Sequence, residues 1–277
     1  MSWDERQRAM LEAMGLRVWT HAEPAAAAEP AVAAAAPVAA PKVATAPNPV
    51  TARPVAQAPV PVSVPMPVPV AMTVDTSERA QAIARMDWAE LRHSVAECRA
   101  CGLCEGRKNT VFGVGNEQAD WMIIGEAPGE QEDQRGEPFV GDAGKLLDNM
   151  LRAIGLSRAE GEPAEQVFIA NTLKCRPPRN RNPEPAELAQ CEPYLMRQIE
   201  LVQPKIILAM GRFAVQSLLR SSEAIGRLRG RVHEVHGVPV IVTYHPAYLL
   251  RNPLDKALSW DDLCLAQEVH DTAGNQS

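Results

Sequence analysis

The sequence has few aromatic residues, no excess of positive charge and no long apolar run. Phe, Trp and Tyr make up 4% of the 277 residues, and 34 acidic residues outnumber 28 basic ones, giving a net charge of −6. This balance excludes a protein that coats nucleic acid with uniform positive charge, although it allows a local basic groove. No apolar segment reaches the roughly 18 residues of a membrane-spanning helix, and the charged N-terminus lacks the apolar core of a secretory signal. We therefore expect a cytoplasmic, nucleoid-associated protein without a membrane partner.

Glycine is absent from residues 24–72, where 12 of the 24 prolines lie among many Ala and Val residues. Proline at this density interrupts helices, and side chains this small cannot build a core, so we expect an extended, semi-rigid segment. We predict three parts: an amphipathic helix over residues 1–22, a disordered linker over residues 23–75, and a folded domain over residues 76–277.

The first residues have the pattern of a short amphipathic helix, in which Ser2 and Glu5 fit a capping box. Its apolar face would carry Trp3, Met10, Leu11, Met14 and Val18. A lone helix cannot bury such a stripe on itself, so it either packs on the folded domain or docks on another protein. The segment QRAML loosely resembles the bacterial sliding-clamp-binding pentapeptide. A replication or repair protein is therefore one expected partner.

Strand and helix patterns alternate along the folded domain. The predicted strands are Trp121–Ile124, Val167–Leu173, Lys205–Met210 and Val238–Thr243, with helical patterns between them. This alternation is typical of a parallel sheet covered on both faces. We predict the α/β class: three α/β/α layers around a central, mainly parallel four-stranded sheet. Ligands bind at the carboxyl ends of such strands, which directs attention to the turns after Gly125, Thr172 and Thr243.

Cysteines are the second notable feature of the domain. The six are Cys98, Cys101, Cys104, Cys175, Cys191 and Cys264. In a reducing compartment a cluster of cysteines favours metal binding or catalysis over disulfides. A C-x-x-C pair plus two later cysteines offers four thiolates, the number that a [4Fe–4S] cluster or a structural zinc takes. The spacing decides neither between these metals nor whether Cys101 or Cys104 completes the pair.

Four cations lie within eight residues beside these cysteines: Lys174, Arg176, Arg179 and Arg181. Such a concentration of positive charge is typical of a surface that contacts nucleic-acid phosphates. A solvated charged loop is the alternative.

Four segments together resemble a known family. They are GEAPGEQED (Gly125–Asp133), GEPFVGDAGKLL (Gly136–Leu147), NTLKCRPPRNR (Asn171–Arg181) and HPAYLLR (His245–Arg251). In this order and spacing they closely resemble the type 4 uracil-DNA glycosylases, base-excision enzymes that carry an iron–sulfur cluster. The resemblance covers residues 97–251 and excludes the N-terminal helix and linker.

The resemblance implies a structural [4Fe–4S] cluster held by Cys98, Cys101, Cys175 and Cys191. Cys104 stands where the family needs no cysteine, and Cys264 has no role in the family pattern. The resemblance also implies that the HPAYLLR segment, with Arg251, enters the DNA minor groove. We therefore expect Arg251 to join Arg176, Arg179 and Arg181 in binding DNA.

The same resemblance assigns roles around a uracil pocket. Glu126 and Ala127 would line it and hold the water, and Phe139 would stack on the base. Asn171 would read the uracil edge, and His245 would face uracil O2. An amide supplies a donor and an acceptor in one plane, which matches uracil O4 and N3. Cytosine reverses that pattern and would leave buried groups unpaired, at a cost of roughly 2–6 kcal/mol.

Catalysis of base release needs a donor at the departing uracil and a carboxylate near the sugar. A neutral imidazole of His245 can stabilise the negative charge that develops on the base. The carboxylates Glu126, Glu132 and Asp133 are candidates for holding the water, with Glu126 slightly favoured. The type 1 enzymes have an aspartate at the position of Ala127, so no acid occupies that place here.

The expected activity is that of a monomeric, monofunctional uracil-DNA glycosylase acting on single- or double-stranded DNA. It would flip uracil out, hydrolyse the N-glycosidic bond and leave an abasic site in base excision repair. One alternative is a non-catalytic iron–sulfur DNA-binding module associated with a polymerase, and another is a redox iron–sulfur protein. A covalent uracil-binding protein is disfavoured, because the loop after Asn171 lacks the histidine-bearing insert of that related family.

Overall fold

The computed structural model describes residues 76–159 and 165–274. The predicted N-terminal helix and the predicted linker lie outside the described residues. The described helices are α1 Thr76–Ile83, α2 Trp88–Ala96, α3 Leu103–Gly106, α4 Glu130–Arg135, α5 Asp142–Ala153, α6 Pro185–Val202, α7 Arg212–Leu219, α8 Ile225–Leu228, α9 Pro246–Arg251 and α10 Lys256–Gly274. The described strands are β1 Val114–Gly115, β2 Trp121–Gly125, β3 Val167–Asn171, β4 Ile206–Met210, β5 Val232–Val235 and β6 Val238–Thr243. No helix among these residues is long and apolar enough to cross a membrane.

The described strands form one sheet in the order β1-β3-β2-β4-β6-β5. Its centre consists of the parallel strands β3, β2, β4 and β6, which are the strands that the sequence predicts. Two short strands that the sequence analysis did not predict, β1 and β5, extend this centre antiparallel at its edges. The predicted α/β fold is thus confirmed, with a sheet of six strands rather than four.

Apolar side chains cover both faces of the sheet and create three layers. In β2, Met122 and Ile124 pack toward α1, α2, α6 and α7, whereas Trp121 and Ile123 pack toward α5, α9 and α10. Successive side chains of a strand point to opposite faces, so a continuously apolar strand must lie between two helical layers. Each fully buried side chain of this kind contributes about 1.5–3 kcal/mol.

The register of the parallel strands aligns their carboxyl ends at one edge. Gly125 at the end of β2 pairs with Asn171 at the end of β3. Met210 at the end of β4 pairs with Thr243 at the end of β6. The turns that follow these strands therefore meet at the same edge of the sheet, where sequence analysis expects the ligand.

Candidate active site

A cavity of about 210 Å³ opens at the carboxyl edge of the parallel strands. Its lining residues are Glu126, Ala127, Pro128, Gly129, Glu132, Phe139, Ala143, Asn171, Asn180, Arg181, His245 and Ala247. Six of the seven side chains predicted to contact uracil or to hold the water are among them, and the seventh, Asp133, is not. The six come from four separate motifs. Asn180 also lines the cavity, and the sequence analysis gave it no role because nothing in its motif distinguishes it from a loop residue.

Asn171 presents its amide at the floor of this cavity. The residue is 3% exposed, and its side chain makes no hydrogen bond to another described residue. Gly125 lies directly beside it: a Cβ at Gly125 would be 2.4 Å from Asn171 Oδ1 and 2.6 Å from the ring of Phe139. Only glycine allows the amide and the ring to approach the backbone this closely, which leaves the amide available for a bound group.

Phe139 is held in a backbone conformation that phenylalanine rarely adopts. Its φ is +54°, in the left-handed region, where a non-glycine residue costs about 1–3 kcal/mol. A Cβ at Gly144 would lie 1.7 Å from the Phe139 carbonyl oxygen, so glycine is required where α5 meets this turn. The Glu132 carboxylate accepts hydrogen bonds from the backbone of Gly129 and Val140, both at 3.1 Å, and fixes the turn.

The position of His245 at the start of α9 determines which nitrogen carries its proton. Its Nδ1 accepts a hydrogen bond from the backbone N–H of Ala247 at 3.1 Å. Burial lowers the pKa of His245 to about 4, and the nearby charge of Arg251 acts in the same direction. The imidazole is therefore neutral at pH 7 with its proton on Nε2. Its ring stacks on Phe139, with centroids 5.4 Å apart and planes inclined by 26°.

The three candidate carboxylates have different surroundings. Glu132 holds the Phe139 turn, and buried Asp133 accepts a 2.9 Å hydrogen bond from the Lys108 backbone without lining the cavity. Glu126 lines the cavity, and its carboxylate has no hydrogen-bond partner among the described residues. Burial raises the pKa of Glu126 to about 7, against the opposing charge of Arg212. Glu126 can therefore exchange a proton near neutral pH.

A second, smaller cavity is lined by five thiols. They are Cys98, Cys101, Cys104, Cys175 and Cys191. Ala127 packs against the buried cluster that contains Cys175 and Cys191, and it also lines the larger cavity. The two sites therefore share a wall. The sixth cysteine, Cys264, packs in α10 on the opposite face of the sheet.

Several donors point at these sulfurs. An Arg107 guanidinium N–H donates to Cys175 Sγ at 3.1 Å, and an Arg79 N–H donates to Cys98 Sγ at 3.7 Å. Burial raises the pKa of Cys191 to about 12. Cationic donors and strong desolvation together suit sulfurs whose negative charge is shared with a bound metal centre. Within residues 76–159 and 165–274, no three His, Cys, Asp or Glu side chains converge closely enough to hold a single ion.

The cations predicted to contact DNA divide into two groups. Arg181 forms a two-pronged ion pair with Glu187, at 2.6 and 2.9 Å, and Arg176 donates to Asn180 Oδ1 at 2.8 Å. In contrast, Arg179 and Arg251 are exposed and form no hydrogen bond or ion pair with the described part of the chain. These two cations are therefore the ones most available to an external phosphate.

Lys174 is wrongly predicted as part of the basic surface. It is 1% exposed, between the end of β3 and helix α6. Its ammonium group donates to Gln198 Oε1 at 2.6 Å. The prediction fails because a local count of charges cannot indicate that one lysine of the segment turns inward to a partner 24 residues away.

Comparison with known proteins connects this geometry with one superfamily. The family model described as "Uracil DNA glycosylase superfamily" matches residues 112–265. The type-4 uracil-DNA glycosylase of Archaeoglobus fulgidus is 46% identical over 172 residues, which cover 59% of this chain and 83% of that protein. The corresponding enzyme of Saccharolobus solfataricus is 48% identical over 184 residues, 63% of this chain and 82% of that protein.

A weaker similarity connects the chain with a DNA polymerase of Bacillus phage SP01, at 30% identity over 141 residues. The match covers 51% of this chain but 15% of that polymerase. The family model, in contrast, spans residues 112–265 and so includes every motif that lines the cavity, and the chain covers 83% and 82% of the two glycosylases. The chain therefore belongs to the type 4 uracil-DNA glycosylases, within the uracil-DNA glycosylase superfamily.

Proposed function

We propose that this protein is a monofunctional uracil-DNA glycosylase that flips uracil out of DNA and hydrolyses its N-glycosidic bond. The observation that carries the proposal is the meeting of Asn171, Phe139 and a neutral His245 in one cavity. An enzyme that acts on a base must extrude it and read its Watson–Crick edge. The buried amide of Asn171 has no other partner among the described residues, and its donor and acceptor complement O4 and N3 of uracil. Phe139 offers an aromatic surface for stacking.

His245 has the chemistry that the leaving group requires. As the C1′–N1 bond breaks, its electron pair moves into uracil, and negative charge develops at O2. The Nε2–H of His245 donates a hydrogen bond there, because Nδ1 is occupied by the Ala247 backbone. A neutral donor of this kind stabilises the developing anion without transferring its own proton.

Glu126 is the proposed base for the second half of the reaction. The sugar acquires positive charge at C1′, and the ionised carboxylate stabilises it. Water then forms the new C1′–O bond and passes a proton to Glu126, while the released uracil anion takes a proton from solvent. A pKa of about 7 lets this carboxyl accept a proton and release it again near neutral pH.

We propose that Arg179 and Arg251 contact DNA phosphates, since the other two predicted cations are engaged within the protein. Arg179 belongs to the turn Pro178–Asn180, whose next residue reaches the cavity. Arg251 ends α9, the helix that begins at His245. Both cations therefore lie on segments that also contribute to the cavity, where the backbone of a flipped nucleotide must pass.

The cysteine site fits a structural [4Fe–4S] cluster held by Cys98, Cys101, Cys175 and Cys191. A [4Fe–4S] cluster takes four thiolates, and guanidinium donors reach two of these sulfurs, from Arg107 to Cys175 and from Arg79 to Cys98. Cys101 packs against the buried cluster that contains Cys175 and Cys191, which supports Cys101 rather than Cys104 as the completing ligand. When bound, the cluster would cross-link the region after α2 to the loop 175–191.

The remaining parts of the chain have proposed roles of their own. We propose that residues 1–22 dock on a replication or repair protein, with residues 23–75 as the linker to the folded domain. Residues 76–277 would form the catalytic domain. Action on chromosomal DNA implies a cytoplasmic, nucleoid-associated location.

An alternative is a non-catalytic module associated with a polymerase, which the partial match to the phage polymerase favours. An oligonucleotide with one uracil distinguishes the two, when it is incubated with the protein and then treated with alkali. Cleavage at uracil by the native chain, with far less by the Asn171→Ala variant in the same time, supports the glycosylase. Intact oligonucleotide with retained DNA binding supports the alternative module.

A further inference from the structure

Lys174 is a buried cation to which the proposed reaction assigns no task. Its Nζ donates to the backbone oxygen of Asn171 at 2.8 Å and to Gln198 Oε1 at 2.6 Å. Gln198 is fully buried in α6, and its own amide donates to the Phe112 carbonyl at 2.9 Å. The ammonium group thus completes a hydrogen-bonded chain from α6 to the last residue of β3.

The carbonyl that Lys174 holds belongs to the residue proposed to read uracil. The Asn171 side chain has no hydrogen bond of its own to the described residues, so its direction depends on its backbone. The register of β2 with β3 ends at Gly125 and Asn171, and the next backbone N–H, that of Thr172, still donates to the Gly125 oxygen at 3.0 Å. A charge-assisted hydrogen bond is about twice as strong as a neutral one. The bond from Lys174 therefore restrains the carbonyl side of the peptide bond between Asn171 and Thr172, whose N–H side is already held by Gly125.

We propose that Lys174 is a positioning residue that fixes Asn171 for uracil recognition and joins it to the cysteine site. The backbone N–H of Lys174 donates to Cys191 Sγ at 3.4 Å, and Cys175 is its neighbour in the chain. Burying an ammonium group is costly unless its hydrogen bonds are made, and a methionine would fill the same space without that cost. The inference rests on the proposed glycosylase function.

A double-mutant cycle tests whether Lys174 acts through Asn171. The rate of uracil excision is measured under single-turnover conditions, over hours where needed, for the full-length native chain, Lys174→Met, Asn171→Ala and the double variant. Affinity for the same oligonucleotide with thymine in place of uracil, and iron per protein, are measured separately. Lys205→Met is the matched control, because Lys205 pairs with Asp120 on the surface.

We expect Lys174→Met to lower the excision rate by roughly 10–100-fold, since a displacement of about 1 Å can cost 10²-fold. DNA affinity and iron content should match those of the native chain. In the Asn171→Ala background the same substitution should change the rate by less than about twofold, because coupled residues are not additive. An unchanged rate in Lys174→Met, or equal losses in both backgrounds, would overturn the proposal.

If Lys174→Met loses its iron, the excision rate of Gln198→Met tests the proposal instead. This substitution removes the second hydrogen-bond partner of the Lys174 ammonium and leaves the cysteines and their donors in place. A reduced rate with normal iron supports the proposal, whereas a native rate refutes it. Failure of the native chain itself to release uracil would instead refute the glycosylase function.

Discussion

Glu126→Gln should inactivate the protein and stabilise it at the same time. Burial raises the pKa of Glu126 from 4.5 to about 7, so the folded state binds a proton more tightly than the unfolded chain does. The favourable contribution of the protonated carboxyl is fully present below about pH 4.5 and is lost as the pH rises to about 7. Above pH 7 the folded protein carries a buried carboxylate at a net cost, which an uncharged amide of the same shape removes.

The size of this effect follows from the pKa shift. At about 1.4 kcal/mol per pKa unit, the shift corresponds to at most about 3.5 kcal/mol. Solvent at the mouth of the cavity screens the charge and reduces this to about 1–2 kcal/mol. For a domain of this size we expect a rise in Tm of roughly 2–8 °C at pH 8, and a much smaller difference at pH 4.

The same substitution should lower the excision rate, although it raises stability. The native excision rate should rise with pH and level off above about pH 7, as the Glu126 carboxylate forms. Glu126→Gln should lower the plateau rate by ~10²–10⁴, the usual contribution of a general base, and remove this pH dependence. Thermal unfolding and single-turnover excision, each followed from pH 4 to pH 8 in steps of about one unit, measure both effects. A destabilised variant at pH 8, or one that keeps the native pH profile, would refute the reasoning.

Four other outcomes are expected. Asn171→Ala should reduce uracil release to a slow residual rate, whereas Asn171→Asp should gain activity on cytosine through a protonated carboxyl; product analysis on matched oligonucleotides distinguishes them. His245→Ala should lower the single-turnover rate by ~10²–10³, and an unchanged rate would mean that another group stabilises the leaving base. Cys191→Ala should bleach the brown colour of a [4Fe–4S] protein and lower its Tm, while Cys104→Ala should do neither; a colourless, zinc-loaded, active preparation would contradict this. Deleting residues 1–75 should leave excision on naked DNA nearly intact but abolish capture of a repair partner; loss of activity would show that the segment supports the domain.

The sequence predicted the central sheet because each of its strands is a continuous apolar run. It did not predict β1, which has two residues and is held by its pairing with β3. It also did not predict β5, because the residues Val, His, Glu and Val do not form a continuous apolar run. This strand is held by its pairing with β6. Edge strands of this kind depend on a partner, and local sequence contains little information about pairing.

The candidate site, like the fold, was predicted from the sequence only in part. The side chains that meet in the cavity belong to motifs that were recognisable in the sequence, as were the four proposed cluster ligands. Partnerships between distant residues were not recognisable: Arg181 is engaged by Glu187, and Lys174 turns inward to Gln198. The choice among the three carboxylates likewise required the structure, because it depends on which of them already accepts hydrogen bonds from the backbone.

The contact of Gly125 with Asn171 and Phe139 has a consequence for redesign. Main chain rather than a side chain lies against the Asn171 amide and the Phe139 ring at Gly125, so the position of these two groups cannot be adjusted by choosing a larger residue there. A single added carbon would occupy the space of the amide oxygen and the ring edge. Attempts to alter base preference must therefore change the hydrogen-bonding group at the floor or the turn that presents the ring. A library that randomises only the residues in contact with the base would omit Gly125, where any side chain would collide with Asn171 and Phe139.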